Sequence, residues 1–155
     1  MVGNMLRIGK YVNTHGIKGE IRILSDFSRK DLIFVPKFKI YIKDKEYIIK
    51  TYRKHKNYDM VTLEGINDIN DIEYLKGNFI YIDRNDINEF IDEDLYDYKL
   101  VYKNKEYVIK DILINKANKI LVLDNNKMIP YVKDFIIKID YDNKLIYMNL
   151  PDNML

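Results

Sequence analysis

The sequence predicts an all-β protein built from small antiparallel barrels or sandwiches, with one or two short helices. Three observations lead there. Apolar residues alternate with polar ones at period 2 in many short runs, the connectors between runs are of hairpin length, and strands follow one another without intervening long helical segments. At 155 residues and 18.7 kDa the chain accommodates one ordinary domain or two small ones.

Taken in order, the first apolar run lies around Ile8 to Val12 and is joined to the next, Glu20 to Leu24, by Asn13-Thr14-His15-Gly16-Ile17-Lys18-Gly19. Gly16 and Gly19 are free to take positive φ, which suits a tight exposed loop presenting His15 and Lys18. Such a loop is either a plain strand connection or a backbone clamp. The KH type of clamp is excluded because strands, not helices, flank it. In Lys37 to Ile42, Phe38, Ile40 and Ile42 share one face while Lys37, Lys39 and Tyr41 share the other, the pattern of a half-buried strand. Glu46 to Lys54, Met60 to Leu63 and Phe79 to Ile82 read the same way. Asn67 to Gly77 is the exception: Asn70 or Asp71 suits an N-cap, Ile72 and Leu75 are three apart, and Gly77 supplies a stop, so a short helix is expected.

Residues 83 to 97 hold seven acids against the single base Arg84, a composition expected of a connector. Beyond it, strands are expected at Tyr107 to Ile114, Ile120 to Leu123, Ile136 to Ile139 and Leu145 to Leu150. Lys43-Asp44-Lys45, Asp124-Asn125-Asn126 and Asp142-Asn143 are hairpin connectors. All six glycines lie at or before position 77, so the second half makes its turns with Asn, Asp and Lys. Pro130 confines Met128-Ile129-Pro130-Tyr131 to a sheet edge or a turn. The boundary falls near residue 90: a first domain over 1–88, an acidic linker over 89–98 and a second domain over 99–155.

Charge is unevenly spread. Residues 1 to 82 carry 15 Lys/Arg against 10 Asp/Glu, whereas the remainder carries 11 against 14. Residues 29 to 56 alone hold ten bases against Asp31, Asp44 and Glu46, a segment where a polyanion would dock. The interleaved Phe38, Tyr41, Tyr47, Tyr52 and Tyr58 permit base stacking or alternate inward as core residues. Zero cysteines exclude disulfides, Cys-based zinc sites and thiol catalysis. Arg7 and Lys10 interrupt the N-terminus where a signal peptide would be apolar, so a cytosolic location is expected. His15 and His55 stand in no metal-ligand spacing, and nucleophile-elbow, Walker A and dinucleotide-binding motifs are lacking from the sequence. Neither an enzyme nor a cofactor is expected.

Taken together these strings resemble the ribosome maturation factor RimM family along nearly the whole chain. Ile8, Gly9, His15, Gly16, Gly19 and Glu20, followed by Ile21-Arg22-Ile23, match its N-terminal signature, I-G-x-x-x-x-x-H-G-x-x-G-E. Ser25-Asp26-Phe27, Arg53-Lys54-His55-Lys56, Glu64 to Asp71, Leu75-Lys76-Gly77 and Tyr81-Ile82-Asp83-Arg84 continue the match. In the second half Ala117-Asn118, Ile129-Pro130, Val132 to Asp140 and the ending Leu150-Pro151 to Leu155 carry it more loosely. The family's adjacent tyrosine pair becomes Leu95-Tyr96, its Asp-Leu-x-Gly element becomes Lys99-Leu100-Val101-Tyr102, and Lys116 and Lys119 flank Ala117-Asn118.

The resemblance implies two small β-barrels in tandem, six-stranded first and PRC-barrel-like second. It also implies a monomeric, non-catalytic factor for small-subunit maturation. Such a factor binds immature 30S subunits rather than finished 70S ribosomes, holds the head protein S-nineteen, and assists folding and processing of 16S rRNA. The expected contacts to the ribosomal protein are Tyr96, Tyr98, Ala117, Asn118, Ile129 and Pro130; those facing rRNA are His15, Lys18, Arg53, Lys54 and Lys56. Two other classes remain open: a free-standing rRNA-binding module without a protein partner, and a hydrolase built from dispersed carboxylates.

Overall fold

The computed structural model describes residues 4–114 and 118–155. These divide into two compact units, Met1–Glu89 and Phe90–Leu155.

The first unit is a closed barrel of strands β1 (Met5–His15), β2 (Glu20–Leu24), β3 (Lys39–Ile42), β4 (Lys45–His55), β5 (Tyr58–Leu63) and β6 (Phe79–Asp83), in the order β1-β2-β5-β4-β3-β6. Closure depends on the two 11-residue strands. β1 pairs with β6 over Met5 to Lys10 and with β2 over Lys10 to His15, its register shifting between Arg7 and Gly9 and again between Tyr11 and Asn13. β4 likewise serves β3 and then β5, shifting between Ile49 and Thr51. Each bulge bends its strand so that one chain crosses from one neighbour to the other. Gly9 is required at the first bend: a Cβ there would lie 2.7 Å from the Leu24 carbonyl oxygen. Inward positions are filled by Ile8, Tyr11, Ile21, Ile23, Ile40, Ile42, Ile49, Met60, Leu63, Ile80 and Ile82, all essentially inaccessible. The alternation expected in Lys37 to Ile42 is therefore present, with Lys39 outside and Ile40 and Ile42 inside.

The β3–β4 turn places Lys43 and Asp44 at φ 50° and 65°, and a turn of the second unit places Lys103 and Asn104 at 49° and 64°. Paired positive φ is the geometry of type I′ hairpins, whose twist matches that of the strands. The segment expected as one short helix, Asn67 to Gly77, is instead two successive 3-10 turns, Ile69–Asp71 and Glu73–Leu75. Asp68, rather than Asn70 or Asp71, is the cap, its carboxylate accepting from Asn70 N at 2.8 Å. The cap also faces the glycine loop. Ile69 N donates to Ile17 O at 2.8 Å, and a Cβ on Gly19 would lie 3.2 Å from Asp68 O.

A helix α1 (Lys30–Ile33) lies within the basic segment, where the alternation gave no sign of it. Its attachment is electrostatic and aromatic. Lys30 Nζ is 2.8 Å from Oδ2 of Asp59, a carboxylate with no exposed surface, while Tyr52 donates to Asp59 Oδ1 at 2.6 Å. Phe34, following the helix, stacks on Tyr52 at 5.5 Å and 6°. Burial, then the hydrogen bond to Asp59 and its charge, push the Tyr52 phenol up to about 12. Across the barrel wall Arg53 grips Glu20 with two hydrogen bonds of 2.9 and 2.8 Å. Those bonds hold the Glu20 carboxyl below its ordinary value of 4.5, outweighing partial burial, with smaller help from the charges of Arg53, His15 and His55.

The second unit is one six-stranded sheet of β7 (Lys99–Tyr102), β8 (Lys105–Ile114), β9 (Lys119–Leu123), β10 (Met128–Tyr131), β11 (Ile136–Asp140) and β12 (Leu145–Met148), ordered β10-β9-β8-β7-β12-β11. β7 and β12 pair in parallel, contrary to the purely antiparallel expectation; the other neighbours are antiparallel. Its core gathers Leu95, Tyr98, Leu100, Ile109, Leu121, Leu123, Ile129, Ile146, Met148 and Leu150. Residues 89–98, expected as a connector, supply Leu95 and Tyr98 to this core from the 3-10 turn Asp92–Asp97 and the residue that follows it. Asp94 steadies the turn by accepting from Ile91 N at 3.0 Å. Among the described residues no helix is long and apolar enough to cross a membrane.

Two outcomes test the polar anchors. Asp59→Ala leaves the Tyr52 hydroxyl without its acceptor and the partly exposed Lys30 ammonium without its carboxylate, and urea unfolding should show a loss of about 1–3 kcal/mol, whereas a loss below about 0.5 kcal/mol would contradict the anchoring role. Because the folded pKa of Glu20 lies below its unfolded value, its contribution is present above 4.5 and disappears as pH falls through the folded value. Glu20→Gln should therefore lower the melting temperature at neutral pH and flatten its decline on acidification below that point.

Candidate functional site

No group of three or more His, Asp or Glu side chains positioned to hold a metal ion occurs among the described residues. What the two units offer is two outward-facing surfaces, one cationic and one apolar.

On the first unit more than half of the bases of the basic segment are paired with carboxylates, most of them supplied by residues outside the segment. Arg29 binds Asp31 at 2.8 Å, Lys30 and Lys54 both reach Asp59, Lys37 pairs with Glu64, Lys39 approaches Glu46 at 3.9 Å, and Arg53 is held by Glu20. Six of the ten bases expected to face a polyanion thus have acidic partners. Of the residues expected to face rRNA, His15 and Lys18 are exposed at the glycine loop, and Lys56 is exposed at the β4–β5 turn with φ 56°. His15 Nδ1 lies 3.4 Å from Arg22, whose guanidinium sits over the Tyr58 ring. Arg53 and Lys54 are the two whose charge is already engaged. The aromatics of the segment divide: Tyr47 is buried, Tyr52 stacks on Phe34, and Tyr58 is half-buried beneath Arg22.

The loop also presents Ile17, 81% exposed at its tip and held there by the hydrogen bond from Ile69. Sequence reading concentrated on the polar loop residues and passed over it.

On the second unit the pairing registers sort the side chains. Val122 stands opposite Asp111 on one side and Met128 on the other, and Ile120 stands between Leu113 and Pro130. Directly opposed residues share a face, so Asp111, Leu113, Ile120, Val122, Met128 and Pro130 share the face of β8-β9-β10 turned away from Leu121 and Ile129, with Val122 itself buried at 8% exposure. Ile129 and Leu121, one position along, point into the core. Tyr96 extends this surface, half-exposed, with its hydroxyl 3.5 Å from Asp111 Oδ1. Partial burial, followed by the Asp111 charge, raises the Tyr96 phenol. Met128 at 57% and Leu113 at 41% exposure leave an apolar strip whose far boundary is β10, an edge strand paired only with β9 among the described residues. Pro130 sits in that edge strand, where its missing N–H costs no ladder bond.

The expected partner contacts therefore separate. Tyr96 and Pro130 belong to the outer strip, and Asn118 is exposed just before β9. Ile129 and Tyr98 require correction: at 0% and 7% exposure they are core residues with no surface to offer a partner. Ala117 lies outside the described residues. Met128 and Leu113 are exposed contacts absent from that expectation, although the period-2 rule that puts Ile129 inside puts Met128 outside.

Comparison with known proteins matches the RimM N-terminal domain over residues 6–87 and the RimM PRC barrel domain over residues 93–154. The ribosome maturation factor RimM of Staphylococcus aureus strain bovine RF122 / ET3-1 is 36% identical over 164 residues, covering 97% of this chain and 98% of that protein. The protein of the same name from strain Newman is 35% identical with equal coverage. Among solved structures, a putative 16S ribosomal RNA processing protein RimM from Pseudomonas aeruginosa aligns at TM-score 0.48 and 20% identity, covering 96% of this chain and 98% of the other. The N-terminal domain of RimM from Thermus thermophilus aligns at TM-score 0.47 and 19% identity, over 55% of this chain and 95% of its own. With both domain models matched in order and relatives above one-third identity along nearly its full length, the chain belongs to the RimM family.

Proposed function

We propose that this chain is a ribosome maturation factor that acts without catalysis on the immature small subunit, holding the head protein S-nineteen through its second unit while 16S rRNA folds. The observation that carries the reading is the outer strip of β8-β9-β10, where Tyr96, Leu113, Met128 and Pro130 share one face that runs to β10, an edge paired only with β9 among the described residues. Apolar side chains with an adaptable thioether and an aromatic bearing a polar tip are the chemistry of a protein contact. The acidic excess of the second half favours a basic partner.

Binding to the immature state alone favours the folding route that passes through it, because the stabilisation conferred equals the difference in affinity between conformations. No energy source is needed. The first unit contributes charge: Lys18, Lys43, Lys50 and Lys56 are exposed and form no ion pair with a described residue. These, rather than Arg53 and Lys54, are the side chains suited to neighbouring rRNA phosphates.

Purified S-nineteen from the same organism provides the test. Met128→Lys and Tyr96→Ala should each weaken binding by about tenfold or more in calorimetry. Unchanged affinity in both would remove the strip from the interface, and absence of binding by the unaltered chain would favour a free-standing rRNA-binding module. Affinity for precursor subunits should also fall as salt rises, since phosphate contacts release counterions; a flat response would contradict the electrostatic contribution.

A further inference from the structure

A surface cleft of about 390 Å³ opens on the first barrel where β1 bends between β2 and β6. Phe79, at the start of β6, forms one wall and is 43% exposed. Arg7 holds its guanidinium carbon 4.4 Å from the ring centroid, and Lys10 places its ammonium at 5.8 Å. Leu24, 52% exposed, and Asp26 complete the rim. The floor is built rather than incidental: Gly9 permits β1 to approach Leu24 and Ser25, and Ser25 Oγ donates to Ile8 O at 2.5 Å.

These cations differ from most of those in the basic segment. Arg7 and Lys10 form no ion pair with any described residue, and neither does Asp26. A half-exposed aromatic ring with a guanidinium over it and an ammonium close by, neither ion-paired to a described residue, is what an unpaired nucleotide requires, the ring edge or the guanidinium plane for its base and the charges for its phosphates. Asp26 offers an acceptor to an amino or hydroxyl group, which a bare phosphate would not use.

We infer that this cleft binds an unpaired nucleotide of single-stranded RNA, with Phe79 and Arg7 as the stacking surface and Arg7 and Lys10 as the phosphate contacts. The inference rests on the small-subunit reading and adds to the exposed lysines a nucleotide-binding cleft on the same barrel and the conformation of the RNA bound. A helical RNA keeps its bases stacked and out of reach, so the site selects segments that have not yet paired.

The test uses the full chain and a fluorescent single-stranded RNA of about 12 nucleotides, a length sufficient for groove binding, followed by anisotropy. Phe79→Ala should lower affinity about tenfold, while Phe79→Tyr retains it. Arg7→Gln and Lys10→Gln should weaken binding and each reduce the salt slope by about one. A self-complementary duplex should bind less tightly than the single strand. Full affinity in Phe79→Ala and Arg7→Gln, with melting temperatures unchanged, would overturn the cleft as the site. So would failure of the unaltered chain to bind the oligonucleotide while it still binds precursor subunits, an outcome that leaves the small-subunit reading standing. Failure to bind either would overturn both.

Discussion

Closure of the first barrel through β1 is the constraint on which the rest of that unit depends. One strand of 11 residues must satisfy the backbone groups of two neighbours that lie on different sides of it, and it does so by shifting register twice. A side chain at position 9 would strike the Leu24 carbonyl, so the bend exists because Gly9 is there. The same bend sets Arg7 and Lys10 on one outer surface beside Phe79.

That charge is less plentiful than composition suggests. Asp59, Glu20 and Glu64 draw Lys30, Lys54, Arg53 and Lys37 into local pairs, and the first of these ties α1 to the β4–β5 wall. A cation already held by a carboxylate gives up that contact if it turns to a phosphate, so the pairing map, not the count of bases, says which side chains are available. In the second unit the corresponding selection is made by alternation. The ladder that buries Leu121 and Ile129 turns Met128 and Pro130 to the opposite face, where Met128 is 57% exposed.

Most strands were legible because a period of 2 shows directly in residues such as Lys39, Ile40, Tyr41 and Ile42. The glycine loop was legible from Gly16 and Gly19, both of which adopt positive φ. What escaped reading is what arises between segments distant in sequence. In place of the single helix expected over Asn67 to Gly77 stand two 3-10 turns, the first capped by Asp68 and tied to the glycine loop by the bond from Ile69 N to Ile17 O. β7 was hidden because Leu100-Val101-Tyr102 runs apolar without alternation, and its parallel pairing with β12 joins Leu100 to Ile146, far apart in the chain. Ile129 and Tyr98, which the resemblance places among the partner contacts, lie in the core. Their burial follows from register, which a local string does not reveal.

Sedimentation tests the central claim most directly. A tagged full-length chain, run with ribosomal particles from cells accumulating immature small subunits, should travel with the immature 30S fraction and be missing from 70S ribosomes. Equal occupancy of both fractions, or recovery only in the unbound protein at the top of the gradient, would contradict a factor that acts by preferring the unfinished subunit.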